Sequence, residues 1–178
     1  MSNTPHLGRR APDYNLARQI AAKTLNENNF SDPPVLPKAL AENYGLSVLF
    51  ADFPDNLSDV MGFIDFEDNS IFVNRANAPN RQTFTIAHEL GHALMHRDYI
   101  EAHPAEYKVL RRQPMGGTKD PIEQEANAFA SYLLVPTNML DRYKTVATAS
   151  ELARLFAVSE DVIRWRLWNE YRADARSA

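Results

Sequence analysis

Apolar residues recur at helical spacing from Asp13 onward, where Leu16, Ile20 and Leu25, with Ala17 and Ala21 between them, form one face. The prolines of SDPPVLP break that helix, and PKALAENYGL predicts a short second one that ends at Gly45. SVLFADF then reads as a strand, and GFIDFEDNSIFVN as two strands joined by a turn at Asp68-Asn69. A helical period returns from about residue 80 to His96, and again from Pro121 to about Val135, where Pro136 stops it. Between them lies a loop-rich segment with His103, Pro104, Pro114, Gly116 and Gly117. The tail from Thr137 to Ala178 reads as helical throughout. The pattern predicts an α+β fold with a loose arm over 1–11, a main domain over 12–136, and a helical appendage over 137–178. A small antiparallel or mixed sheet is expected to pack on the central helix.

Composition narrows the function. The 178 residues carry 19 Lys+Arg against 23 Asp+Glu, a net charge of −4, which argues against a general nucleic-acid binder. Cysteine is absent, so thiol catalysis and cysteine-ligated metals are excluded. No run of about 20 apolar residues is available to cross a membrane, and no secretory signal opens the chain, so a cytoplasmic location is expected.

Candidate chemistry centres on TFTIAHELGHALMH, which contains His88-Glu89-Leu90-Gly91-His92. At about 100° per residue, a helix places His88 and His92 one turn apart on one face, where both can hold a single zinc ion. Glu89 projects from the same side, where a carboxylate can act as general base on a water beside the metal. Phe84, Ile86, Ala87, Leu90, Ala93, Leu94 and Met95 fill the opposite sector, leaving His88, Glu89, His92 and His96 as a polar stripe of about 100° that suits a cleft-lining helix. Gly91 costs about 1 kcal/mol against alanine there, which points to a close backbone approach by another element.

The chain has five histidines. His96 lies about 12 Å along the axis from His88, too far to share its ion, and reads as a supporting or helix-end residue. His6 falls in the arm and His103 in a loop. A carboxylate from the next helix is the better third ligand. Asp120-Pro121-Ile122-Glu123 reads as a helix start in which Glu123 closes a capping box. Glu125 has no such task. It borders the apolar stripe of Ile122, Ala126, Phe129 and Leu133, where a carboxylate needs a partner. That partner is a zinc ion or, on the plainer alternative, a salt bridge at the helix edge.

RQTFTIAHELGHALMH followed by EQEANAFASYLLVP resembles the ImmA/IrrE-type metallopeptidase family, over roughly Leu46 to Pro136. The resemblance implies a compact zincin-like fold with His88, His92 and Glu125 as zinc ligands and Glu89 as the catalytic base. Manganese or iron are possible substitutes for zinc. It further implies an endopeptidase acting on a DNA-binding repressor of the Xre helix-turn-helix type, or on an antitoxin-like partner, since some relatives sit in toxin–antitoxin loci. The N-terminal Xre domain and the large C-terminal sensor domain of some relatives are not legible here.

Other features leave alternatives open. SIFVNR, if at a sheet edge, could pair with an extended peptide, though an ordinary core strand fits equally. Tyr132, Tyr107, His103 and Arg81 are candidates to stabilise an oxyanion. In the tail, Thr148-Ala-Ser-Glu151 forms a capping box and Ser159 can cap a further helix, so ELARLFAVSEDVIRWRLW resembles a helix-turn-helix with Arg164, Trp165 and Arg166 toward DNA. Yet residues 159–178 hold four arginines against four acids, no electrostatic footprint for phosphate. A packing or docking role for Trp165 and Trp168 is therefore preferred to direct DNA binding. Two rivals to the enzyme remain: a zinc-containing module that binds its partner without cutting it, and a DNA-binding regulator working through the tail.

Overall fold

The computed structural model describes residues 11–104 and 120–177, those from 171 on as backbone only. His6, Tyr107, Pro114, Gly116 and Gly117, and the side chains of Arg172 and Arg176, lie outside the described residues.

Helix α1 (Tyr14–Glu27) begins where the Asp13 side chain accepts the Leu16 N–H at 2.9 Å, and its alanine-rich face buries Ala17, Ala21 and Leu25. Helix α2 (Pro37–Asn43) ends at Tyr44, and Gly45 then turns the chain with a φ of +78°. Strands β1 (Ser47–Ala51), β2 (Gly62–Asp65) and β3 (Ser70–Asn74) form one sheet in the order β1-β3-β2. β3 runs parallel to β1, with Val48 opposite Ile71, and antiparallel to β2, with Ile64 opposite the same Ile71. The expected hairpin turn is present: Asp65 accepts the Glu67 N–H at 2.9 Å, and Asn69 takes the left-handed conformation at φ +48°.

β3 is paired on both sides, so it is not available to a peptide as an edge. Its burial along nearly its whole length is that of a central strand.

Helix α3 (Pro79–Met95) packs against the sheet on one side and against α5 (Pro121–Leu134) on the other. The short α4 (Arg97–Ala102) follows α3 directly, in a stretch whose sequence gave no helical period. Arg97 ties this junction to the hairpin by donating to Asn69 Oδ1 at 3.0 Å, with its guanidinium 4.9 Å over the Phe66 ring. α5 is wedged between α1 and α3. Every residue of α3 from Thr85 to His92 is buried, so the polar stripe expected to line an open cleft meets another helix instead.

The tail forms α6 (Thr137–Leu140), α7 (Ala149–Phe156) and α8 (Glu160–Ser177), the last two following Thr148 and Ser159 as expected, with turns over 141–147 in a stretch read as helical. The Thr148/Glu151 capping box is formed. Met139, Leu140, Leu152, Phe156, Val158 and Ile163 join the same buried cluster as α1, the sheet, α3 and α5. The boundary drawn at 136/137 thus falls inside one continuous core.

Arg166 explains part of this. It is fully buried, donates to Val135 O at 2.8 Å and Thr137 Oγ1 at 2.9 Å, pairs with Glu170 at 2.8 Å, and lies 4.2 Å over the Tyr132 ring. Burial lowers its pKa, and Glu170 opposes that shift. Trp165 packs edge-on against Tyr132 at 5.7 Å, whereas Trp168 is 61% exposed, so the two tryptophans do not act as one anchor. Arg164 is exposed and paired with Glu160 at 2.8 Å. Removing one partner of a buried ion pair costs about 3–5 kcal/mol, and losing an exposed pair about 0–1. Chemical denaturation is therefore expected to show a large loss of stability in Arg166→Ala and almost none in Arg164→Ala.

Candidate metal centre

His88 and His92 project from successive turns of α3 with their Nε2 atoms 3.0 Å apart. A carboxylate from the start of α5 faces both: Glu123 Oε2 is 3.3 Å from His88 Nε2, and Glu123 Oε1 is 3.2 Å from His92 Nε2. These three residues form a buried group able to hold a metal ion. Donors about 2.0–2.1 Å from a tetrahedral zinc stand about 3.3–3.4 Å from one another, so the spacing here fits that ion with little adjustment.

The opposite nitrogens support the same use. His88 Nδ1 lies 3.0 Å from Asn127 Oδ1, and His92 Nδ1 lies 3.1 Å from His96 Nδ1. With Nδ1 donating, each ring can offer its Nε2 lone pair to an ion on the Glu123 side, and without the ion a proton on Nε2 meets the carboxylate instead. Burial alone would raise the Glu123 pKa, but His92 and His88 beside it hold its carboxyl well below the usual range. Burial alone would lower the pKa of His88, and Glu123 raises it overall, with Glu89 adding to the effect. Glu89 itself is 4% exposed and follows His88 on α3, its charge acting on that imidazole.

The structure places a different carboxylate beside the histidines. Glu125, expected as the third ligand, is fully buried elsewhere: Oε1 accepts the Asp13 N–H at 2.6 Å and Oε2 meets His96 Nε2 at 2.9 Å. The physical reason is helical phase. Two residues along a helix is about 200°, so Glu123 and Glu125 leave α5 on opposite flanks, and only the Glu123 flank faces the His88/His92 pair. Asp120 does cap α5, accepting the Ile122 N–H at 3.0 Å, but the Glu123 side chain turns to the histidines. Asn127 was missed. Its signal was present in the sequence, as a polar residue four positions after Glu123 on a mostly apolar helix.

Gly91 has the close neighbour its position implied. A Cβ there would stand 2.8 Å from Phe129 Cδ1 and 3.4 Å from Ala126 Cα. Of the oxyanion candidates, Tyr132 is held beneath Arg166, and the His103 ring stacks on Tyr99 with Nδ1 3.0 Å from Tyr99 O. Arg81 lies on a groove of about 960 Å³ that Tyr14, Asn77, Phe84, Asn127 and Trp165 also line. Asn127 joins this groove to the His88 ring.

The model of the IrrE N-terminal-like domain matches residues 41–167. The chain belongs to that family. It is 36% identical over 106 residues to the radiation response metalloprotease IrrE of Deinococcus radiodurans, covering 55% of this chain and 30% of that protein. An uncharacterized immunity region protein 2 of Bacillus phage phi105 is 29% identical over 153 residues, 84% of this chain and 87% of the phage protein. The fold also resembles a Mycobacterium tuberculosis transcriptional regulator, with a TM-score of 0.62 at 20% identity, over 86% of this chain and 46% of that one. The chain thus spans less than half the length of the Deinococcus and Mycobacterium proteins.

Because the histidines and Glu123 come from separate helices, their spacing depends on the α3–α5 contact. Overpacking a tight contact costs about 1–3 kcal/mol, against about 1 kcal/mol that alanine returns in helix propensity. Gly91→Ala is expected to lower the melting temperature, read by circular dichroism.

Proposed function

We propose that this chain is a zinc endopeptidase in which His88, His92 and Glu123 hold the ion and Glu89 is the catalytic base. The observation that carries the reading is the convergence of two imidazole nitrogens and one carboxylate, with Glu89 beside them, in a member of this family. The ion, when bound, supplies Lewis acidity, polarising a carbonyl and lowering the pKa of water near neutrality; manganese or iron could supply the same. Glu89 takes the proton from the water that attacks the scissile carbonyl carbon, then delivers it to the amine nitrogen as the C–N bond breaks. The groove beside Asn127 is the candidate seat for the peptide, and Arg81 is the oxyanion candidate that lies on it.

The proposed partner is an Xre-type helix-turn-helix repressor or an antitoxin-like protein, which would place the reaction in the cytoplasm. Support comes from relatives named for a radiation response and for a phage immunity region, both regulatory settings. Among the described residues no helix is long and apolar enough to cross a membrane. The rival DNA-reading role is disfavoured because Arg166 is buried and Arg164 is paired with acids of its own helix.

Elemental analysis is expected to find one zinc per chain, falling to background in His88→Ala, His92→Ala and Glu123→Ala. Glu125→Gln should still take up zinc supplied in excess; zinc retained in Glu123→Ala would refute the ligand set.

A helix-turn-helix protein, where one is encoded beside this chain, is the substrate to try. Zinc-loaded wild type should cut it into two fragments, detected by mass spectrometry, and Glu89→Gln should slow the cut by about 10²–10⁴-fold with zinc content unchanged. Tight binding without cleavage would favour the non-proteolytic module.

A further inference from the structure

Behind the metal centre lies a buried chain of contacts that the proposed reaction does not use. The Asp13 backbone N–H donates to Glu125 Oε1 at 2.6 Å, and Glu125 Oε2 meets His96 Nε2 at 2.9 Å. His96 Nδ1 in turn meets His92 Nδ1 at 3.1 Å. Glu125 and His92 are fully buried and His96 is 1% exposed, so no bulk water substitutes for any partner. We propose that Glu125 and His96 are positioning residues that hold His92 in the tautomer able to bind metal through Nε2, a relay anchored at the N-cap of α1. The proposal rests on the metal-ligand reading above.

Proton bookkeeping carries the argument. An ionised carboxylate only accepts, so both groups facing Glu125 must donate: the Asp13 N–H and the His96 Nε2–H. A neutral imidazole protonated at Nε2 has its lone pair at Nδ1, so His96 accepts from His92. His92 therefore carries its proton on Nδ1 and presents a bare Nε2 to His88 and Glu123, which lie 3.0 and 3.2 Å away. This arrangement satisfies the contacts from Asp13 through to His92 Nδ1 with neutral imidazoles, and it leaves the bare Nε2, which faces the acceptor oxygens of Glu123, to a cation held between them. The His88 side differs. Its Nδ1 partner is the amide of Asn127, which offers an acceptor or, turned over, a donor, and so constrains that ring less. The carboxylate end of the relay has no such freedom. An outer partner of this kind changes metal affinity by about 10–100-fold when it is removed.

Glu125→Gln tests the relay at constant shape. With its single oxygen on the Asp13 N–H, the new amide donates toward His96 Nε2, which must then accept. The His96 proton moves to Nδ1, and His92 is forced to carry its own on Nε2. The expected results are a switch of the His92 tautomer, read from imidazole ¹⁵N shifts in a zinc-free Glu123→Ala background where no carboxylate faces Nε2, and zinc affinity weakened about 10–100-fold in a chelator competition with Glu123 intact. Adding His96→Asn should reverse both, because its side-chain oxygen takes the place of Nδ1 as acceptor for His92 and breaks the link to position 125. His96→Leu serves as a second probe should Glu125→Gln not fold. It removes the acceptor, so both His92 tautomers should appear and zinc binding should weaken, again recovered by His96→Asn. An unchanged His92 tautomer in folded Glu125→Gln and His96→Leu would overturn the relay, even if stability or zinc affinity fell. If the wild type bound no zinc, the ligand reading would fail, and the tautomer signature in the Glu123→Ala background would still decide the relay.

Discussion

The close crossing of α3 and α5 is the contact on which the centre depends. Gly91 lets the Phe129 ring and the Ala126 backbone approach α3 where a side chain would keep them away. That approach brings the adjoining Glu123 and Asn127 flank of α5 to the histidines. Glu123 and Asn127, one turn apart, then take the two nitrogens of the same ring, Nε2 and Nδ1 of His88. A helix on its own offers His88 and His92 but no third donor at the right distance. The sheet and α1 matter here chiefly as the two outer walls that hold this crossing shut.

Much of the centre could be read from the sequence because the pairing of His88 and His92 on one face is a property of one helix. The third residue could not, because it depends on which flank of α5 meets α3. Two local signals then misled in opposite directions. The capping-box pattern was right about Asp120 and wrong about Glu123, whose carboxylate serves a tertiary partner. Glu125 did need a partner, as a carboxylate at the edge of an apolar stripe must. That partner is His96, which linear spacing had set aside as unable to reach the metal. His96 lies outside the group of His88, His92 and Glu123 and yet stands next to His92.

The strand and tail show the same limit. The alternation of SIFVN marks a strand but carries no information on whether one or two neighbours flank it; parallel pairing with β1 supplies the second. In the tail, charge counting disfavoured a DNA reader without showing what the arginines do. Arg166, which a helix-turn-helix would turn toward phosphate, instead closes α8 onto Val135 and Tyr132. A buried guanidinium of this kind is invisible to composition, since only its contacts distinguish it from the solvated Arg164 two positions earlier.

Asn127 occupies two environments at once, the wall of the groove and the back of the His88 ring. A groove occupant that pulls on its amide changes the hydrogen bond that orients His88. Thermodynamic reciprocity then applies: whatever factor groove occupancy imposes on ion affinity, the ion imposes on the affinity of the occupant. On the proposed function, groove and ion would in this sense form a coupled pair, with the Asn127 amide as the element between them.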